Sequence, residues 1–313
     1  MKIMLSGVKP SGRPHIGNYF GAMRQFVELQ KNHRAFIMIA DLHAMTTLQD
    51  GEKLRQATLD LALDYLAIGL DPAKVTIFKQ SDVPAHAELA WVLNCITTMP
   101  YLMRAHAFKD AEAKNKEINV GVFTYPLLMS ADILLYNADV VPVGHDQKQH
   151  IEYTRDIAEK FNHIYGNTFK LPEPLILGDV ATVPGIDGQK MSKSYGNTIP
   201  LFSTDEEIQK LVMSIVTDSS GDVPKNVYEI HKLFRTTEEL DALYTEKKGK
   251  YKDLKEALAK DIKAFIGPLR EKREALAKDP AAVKAILEKG AAEANATANT
   301  VLASVKKAAG LSW

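Results

Sequence analysis

The sequence predicts an α/β fold: a parallel sheet covered on both faces by helices, followed by a C-terminal helical domain. Two observations carry this. In the first part of the chain, short apolar runs alternate with longer amphipathic ones. After Tyr195 the alternation stops, and helical patterns with Lys/Glu-rich faces continue to Trp313. A strand–helix–strand rhythm buries its strands between helical layers, which is the setting of a parallel sheet.

In chain order, "KIMLSG" reads as a strand and "HIGNYFGAMRQFVELQ" as a helix. "AFIMIADLHA" reads as the second strand. "EKLRQATLDLALDYLAIGL" places Leu54, Leu61, Tyr65 and Ile68 on one helical face. "VTIFKQS" is a strand, "PAHAELAWVLNCI" a helix, "VVPVG" a short β-branched strand and "DQKQHIEYTRDIAEKF" a helix. "STDEEIQKLVMSIV" opens with a capping signal, Ser203 or Thr204 with glutamates three residues on. "EKKGKYKDLKEALAKDIKAF" and "GAAEANATANTVLASVKKAAG" complete the helical half, most of whose charge reads as solvated helix surface.

The 313 residues suffice for one large domain or two ordinary ones, and 46% hydrophobic residues allow a sizeable core. Lys+Arg and Asp+Glu both number 39, so the formal net charge is zero. That argues against a coat of nonspecific basic charge but leaves room for a local basic surface. Cys95 is the single cysteine, so no internal disulfide and no thiolate metal cluster can form within the chain. Its setting, "LAWVLNCITTM", predicts a buried core thiol. Lys9 and Pro10 interrupt the N-terminus before a signal-peptide core develops, and no apolar run is long enough to span a bilayer. A reduced, cytoplasmic protein is expected.

Ligands of parallel sheets bind beyond the carboxyl ends of the strands. After the first strand, Gly7 and Gly12 imitate the start of a P-loop, but Arg13-Pro14 stands where Lys-Ser/Thr is required, so that reading fails. Gly12, Gly17 and Gly21 still permit close backbone approach, and the helix start near His15 favours a phosphate. A loop and helix turn without chemistry is equally open from this segment alone. After the second strand, Asp41 and His43 form a pair, or His43 is a satisfied core histidine. His145 and His150 lack zinc-binding spacing. Asp132 stands in the apolar run "LLMSADILLY" and needs a partner, either a local helix cap or a ligand donor. Asp146 and Gln147 of "GHDQ" follow the last strand and project to the ligand edge. "GIDGQKMSKSYGN" sets two lysines and two serines in a glycine-fenced stretch. It reads as a mobile loop suited to a polyanion that arrives and leaves, or as a solvated linker.

"PHIGN" resembles the HIGH signature of class I aminoacyl-tRNA synthetases, and "KMSKS" is identical to their second signature, in the family's order. "YPLLMSADILLYNADVVPVGHDQKQHIEYTRDIAEKFN" is similar to bacterial tryptophanyl-tRNA synthetases nearly residue by residue. The resemblance covers essentially the whole chain, "VTDSSG" and "EKGAAEANA" included, and is clearest from Met1 to Ser194.

The resemblance implies a Rossmann-like, doubly wound catalytic domain over 1–185, and over 186–313 the KMSKS loop with a helical anticodon-binding domain. It implies activation of L-tryptophan with ATP to tryptophanyl-adenylate and pyrophosphate, then transfer to the 3′ end of tRNA(Trp). Charge builds on the departing pyrophosphate, and mobile cations closing over it stabilise the transition state. Lys190 and Lys193 take that role by resemblance, with hydrogen bonds from Ser192 and Ser194. ATP is held by His15, Gly17 and Asn18, with Lys9, Pro10 and Ser11 along its phosphates. Gly144, His145 and Asp146 meet the ribose side, and Val180 and Met191 complete the nucleotide site. Asp132 accepts the indole N–H, a donor-only group. Met129, Val141 and Val143 touch the ring, Tyr125 and Gln147 fix the ammonium end, and His43 flanks the pocket. Mg²⁺ bridges the phosphates without a protein cage, and the family is homodimeric.

Two positions depart from the family pattern. Asn18 replaces the last histidine of HIGH, and Lys9 stands where many bacterial relatives have glutamine. A further family lysine after "FK" corresponds to Lys109 or Lys114. Three rivals share parts of the pattern. A tyrosyl-tRNA synthetase normally shows a glutamine and an aspartate for the phenol, whereas "LLMSADI" suits indole. A related nucleotidyltransferase lacks the helical domain. A tRNA-binding regulatory paralogue is expected to lose the loop lysines, and both are present.

Overall fold

The computed structural model of the protein describes residues 1–104, 119–144, 148–176, 183–217 and 223–312. Five strands, β1 (Lys2–Val8), β2 (His33–Ile39), β3 (Val75–Lys79), β4 (Val140–Val143) and β5 (Glu173–Ile176), form one parallel sheet in the order β3-β2-β1-β4-β5. The chain winds outward from β1 through β2 and β3, then returns to the other side of β1 with β4. The strand order therefore reverses between β1 and β4, the place beyond whose carboxyl ends open α/β sheets bind their ligands.

β5 has no counterpart among the strands read from sequence. Pro172 and Pro174 punctuate it and hide the apolar run. Proline is tolerated there because β5 is an edge strand, paired only with β4. The other strands lie where the apolar runs place them. Along β2, Ala35, Ile37 and Ile39 enter the core on one face of the sheet, and Phe36 and Met38 enter the core on the other. That is the period-two pattern of a strand buried on both sides.

The helices follow in order. Helix α1 (Ile16–Asn18) runs through a π-helical turn (Tyr19–Met23) into α2 (Arg24–Leu29). One turn, α3 (Asp41–Ala44), follows β2. Helix α4 (Gly51–Ala67) starts at Asp50, whose carboxylate accepts from the Glu52 and Lys53 amides. Then come α5 (Ala85–Ile96), α6 (Met99–Leu102), α7 (Val120–Leu134) and α8 (Lys148–Tyr165). Helix α9 (Asp205–Met213) has the capping box foreseen from sequence, between Thr204 and Glu207. Helices α10 (Lys225–His231), α11 (Thr237–Glu246), α12 (Tyr251–Ala277) and α13 (Pro280–Ala308) complete the fold. No helix among the described residues is long and apolar enough to cross a membrane.

The later helices pack against the sheet layers. Leu258, Ile262 and Ile266 of α12 join the core that contains Met4 and Ile37. Arg273 of α12 holds Asp64 and Asp60 of α4 at 2.5 and 2.6 Å. Helix α13 lies along the free edge of β3. There Thr76 donates to Glu293 at 2.9 Å, and Asn295 donates to the Asp82 carbonyl at 2.8 Å.

The sequence expectation for Cys95 is corrected. The residue is exposed. Helix α5 turns Ala85, His86, Leu89, Val92 and Leu93 inward, which leaves Trp91 and Cys95, four residues apart, on its outer face. The run is apolar all round, so periodicity alone does not reveal which side faces out.

Gly290 is the contact point between α13 and β3. A Cβ there would overlap the carbonyl oxygen of Ile77. Backbone cannot move aside as a flexible side chain can, so Gly290→Ala is expected to destabilise the fold by about 3 kcal/mol, the upper end for overpacking. Urea denaturation of the two proteins measures this, and an unchanged midpoint would show that α13 does not seat this closely.

Candidate active site

The site begins where β1 ends. The segment Lys9–Pro14 leads to His15, which caps α1. The His15 Nδ1 accepts from the Asn18 amide at 3.2 Å, and the Asn18 side-chain oxygen accepts from the His15 amide at 3.1 Å. Asn18 thus closes a reciprocal cap, which is a use for this residue at the position where HIGH has its last histidine. His15 is only 6% exposed. Burial, aided by the nearby positive charge of Lys193, lowers its pKa to about 4. The ring is therefore neutral at pH 7, as an Nδ1 acceptor must be.

The stretch from 185 to 197 folds into a small hairpin. Pro184 and Lys190 form an antiparallel bridge, and Met191 N–H donates to Val183 O at 2.9 Å. Asn197 ties the hairpin together. Its amide nitrogen donates to Asp187 Oδ1 (2.8 Å) and Lys190 O (3.1 Å), and its Oδ1 accepts from Ser192 N–H (2.8 Å). Gly185 leaves no room for a Cβ against Asn197, and Gly188 turns at φ +83°. Met191 is buried, Lys190 is exposed, and the hydroxyls of Ser192 and Ser194 lie 2.8 Å apart.

The hairpin meets the β1 segment. Ile16 N–H donates to Ile199 O at 3.0 Å, and Leu201 N–H to Pro14 O at 2.9 Å. A Cβ on Gly17 would come within 2.9 Å of His15 Nδ1 and 3.5 Å of Met191 Sδ, so the two motifs pack at a position that has to be small. Lys193 Nζ reaches the carbonyls of Ser11 (3.2 Å) and Gly12 (2.8 Å), and burial lowers its pKa. Lys9 Nζ donates to Thr46 Oγ1 at 3.4 Å, and burial lowers its pKa too. A cleft of about 560 Å³ opens beside these groups, lined by Lys9, Pro10, Ser11, Gly12, Arg13 and Lys53 among others. A larger cleft of about 640 Å³, between Tyr19, Phe20, Phe234 and Phe265, contains none of the motif residues.

On the other face of the sheet, α7 places Tyr125, Met129 and Asp132 at i, i+4 and i+7, on one helical side. Asp132 belongs to this helix and not to a strand edge. It is 2% exposed and accepts three hydrogen bonds: from His43 Nε2 (2.8 Å), Gln80 Nε2 (2.7 Å) and His86 Nδ1 (2.6 Å). Burial alone would raise its pKa. The imidazoles of His43 and His86 outweigh burial and hold it at about 2, so the group is a carboxylate. The possible pairing of Asp41 with His43 does not form. Asp41 accepts from Ser81 N–H (2.9 Å) and Ser81 Oγ (2.5 Å), because the α3 turn directs the two side chains to different neighbours. The Tyr125 ring stands between His43 and His150, with its hydroxyl 3.3 Å from His150 Nε2. Val141 and Val143 of β4 are buried in the same core as Met129, and Gly144 follows at the exposed strand end.

His145, Asp146, Gln147, Val180 and both candidate lysines, Lys109 and Lys114, lie outside the described residues. Reading the sequence did not single out Gln80, His86 or Tyr136. Gln80 directly follows β3, so the strand-end rule extends to it. His86 sits in an apolar helical run and Tyr136 in the turn that follows α7, and neither carries a comparable signal.

The chain matches the sequence model of the family described as tRNA synthetases class I (W and Y) over residues 1–281. A tryptophan–tRNA ligase of Fusobacterium nucleatum is 51% identical, over 99% of this chain and 98% of that protein. The corresponding enzyme of Rhodopirellula baltica is 45% identical, over 98% and 99%. Among solved structures, tryptophanyl-tRNA synthetase from Campylobacter jejuni, complexed with ADP and tryptophane, superposes with a TM-score of 0.92. It is 42% identical and covers 99% of this chain and 100% of its own. With the sheet reversing at β1 and β4, and the PHIGN and KMSKS segments joined at its carboxyl edge, the chain belongs to the class I tRNA synthetases of the W and Y family.

Proposed function

We propose that this protein is a tryptophan–tRNA ligase that joins L-tryptophan to ATP and then to tRNA(Trp). The observation that carries the reading is the meeting of two different environments at one sheet edge. One side has a turn of backbone and cations, with Lys193 at the carbonyls of Ser11 and Gly12. The other has an ionised carboxylate, Asp132, buried and held by His43, Gln80 and His86. The first suits a triphosphate and the second suits a ring with one N–H donor. The tryptophan–tRNA ligases similar to this chain, and the Campylobacter jejuni complex with ADP and tryptophane, support the same assignment.

In the first step, the amino-acid carboxylate attacks the α-phosphate. The bond to the β-phosphate oxygen breaks, and pyrophosphate leaves with the charge. Lys193 exchanges its carbonyl partners for the phosphates, Lys190 and the Ser192 and Ser194 hydroxyls join it, and the developing charge is met by preorganised donors. His15, Gly17 and Asn18 hold the nucleotide at the helix start. Lys9, Pro10 and Ser11 follow its phosphates, and Met191, Gly144, His145, Asp146 and Val180 enclose the rest. Mg²⁺ would be brought by ATP and would help to neutralise its phosphates; the described lining of the cleft offers one carboxylate, Asp60.

Asp132 takes the indole N–H, Met129, Val141 and Val143 the ring, and Tyr125 and Gln147 the ammonium group, with His43 at the pocket wall. In the second step, a ribose hydroxyl of the tRNA 3′ end displaces AMP. Residues 1–185 act as the catalytic unit, and 186–313 supply the loop and the helices that bind the anticodon. A dimer, formed in the cytoplasm, covers the apolar face of Trp91, Met99 and Met103, which are 71%, 65% and 47% exposed.

Amino-acid-dependent ATP–pyrophosphate exchange tests the reading directly. Exchange with L-tryptophan and none above background with L-tyrosine is expected, and the reverse preference would overturn it. Lys193→Ala should slow exchange by about 10²-fold, the effect of removing one transition-state donor, with little change in tryptophan KM. A near-normal rate would remove the loop from the chemistry.

The protonation of His15 gives a pH test. Its folded pKa of about 4 lies below the ordinary histidine value. As the pH falls from about 6.5 to about 4, the unfolded chain takes up a proton at this residue that the folded chain refuses. The stabilising effect is therefore complete above this window and declines through it. In His15→Asn, urea midpoints should fall less steeply across the window than in the unmodified protein. Parallel profiles would mean that His15 is already charged in the fold.

A further inference from the structure

Among the described residues, the two oxygens of Asp132 are used unequally. Oδ1 accepts from both Gln80 Nε2 and His86 Nδ1, whereas Oδ2 accepts only from His43 Nε2. Each carboxylate oxygen offers two lone pairs. Oδ1 is full, and Oδ2 has one acceptor position left.

The partners come from three elements. His43 is on α3, Gln80 directly follows β3, and His86 is in the first turn of α5. The terminal torsion of an aspartate is broad, so nothing within the residue itself fixes which oxygen faces which way. Three donors converging from separate elements do fix it. Gln80, His86 and Tyr136 are each 0% exposed, so no solvent competes for these bonds.

The direction of the chain of bonds follows from its ends. An ionised carboxylate only accepts, so Nδ1 of His86 carries a proton and donates. The Tyr136 hydroxyl lies 2.9 Å from His86 Nε2. In a neutral ring with its proton on Nδ1, Nε2 is an acceptor, and the Tyr136 hydroxyl, which burial keeps protonated, is the donor that suits it. Tyr136 thereby holds His86 in the tautomer that Asp132 needs.

We propose that His86, oriented by Tyr136 and assisted by Gln80, is a positioning residue for the amino-acid side chain. By filling Oδ1 it leaves one aimed acceptor on Asp132, at Oδ2, for a donor-only ring N–H. This rests on the reading of Asp132 as the indole acceptor. It adds that specificity depends on residues which do not touch the substrate.

The test uses pyrophosphate exchange by the full chain. The substrates are L-tryptophan and the analogue whose indole nitrogen is replaced by sulfur. The variants are Asp132→Ala, His86→Leu, His86→Asn and Tyr136→Phe. The unmodified protein should prefer tryptophan in kcat/KM by roughly tenfold to a hundredfold, the loss expected for an unsatisfied buried acceptor. Asp132→Ala should abolish the preference. His86→Leu should reduce it about tenfold, through a higher KM for tryptophan at nearly constant kcat, with the analogue little affected. His86→Asn puts an amide N–H close to the position of Nδ1 and should keep the preference within about threefold. Tyr136→Phe should lower it by about threefold or more, because the tautomer is released.

If Asp132→Ala keeps the preference, the indole reading itself fails. If Asp132→Ala abolishes it while His86→Leu and Tyr136→Phe match the unmodified protein, only the role of His86 is overturned. Equal losses for tryptophan and the analogue in His86→Leu would make His86 a packing residue and also overturn the proposal. Should His86→Leu not fold, Tyr136→Phe, which keeps the shape of its side chain, decides alone.

Discussion

Two backbone hydrogen bonds, Ile16 N–H to Ile199 O and Leu201 N–H to Pro14 O, are the constraint that joins the PHIGN and KMSKS segments of the candidate site. The strand end positions Lys9–Pro14. Nothing in the parallel sheet positions the Lys190–Ser194 hairpin, which follows the last strand. The short antiparallel pairing does that. Ile16, Ile199 and Leu201 are fully buried, so breaking either bond would strand a donor or acceptor away from water. Gly17 then lets His15 and Met191 come together, and the Asn197 knot carries the hairpin outward to Lys193.

The sheet also separates charge. Met4, Ile16 and Met191 belong to the core on one face, and Phe36, Val141 and Tyr136 to the core on the other. Cations, an uncharged histidine and the buried Asp64, held by Arg273, lie on the first, while the second encloses Asp132 surrounded by donors. The two environments come together only beyond the carboxyl ends of β1 and β4. An activating enzyme needs its two substrates to meet at such a place, and a sequence with zero formal net charge still provides it locally.

Much of this was readable in the sequence. Strands β1 to β4 were visible because apolar runs of strand length lie between amphipathic helices. The glycines marked the stretch from 185 to 197 as a loop, without the pairing and the Asn197 bonds that make it a hairpin, and Asp132 was marked by its improbable surroundings. What escaped reading has identifiable causes. Prolines masked β5. Cys95 lies in a run without polar contrast, so its outward face left no pattern. Periodicity finds faces but not partners, and His43 turned out to serve Asp132 while Asp41, two residues earlier, serves Ser81. The donors around Asp132 come from positions 43, 80 and 86, which only the winding of three elements brings together.

Helix α13 has a consequence for how the protein is made. It shields the open edge of β3, and Thr76 and Glu293, which join them, stand 217 positions apart. Synthesis delivers the strand first and its cover near the end. A nascent chain therefore carries an exposed row of unpaired peptide groups, a template for pairing with other chains, through most of its translation. Polypeptides released before Pro280 keep that edge permanently.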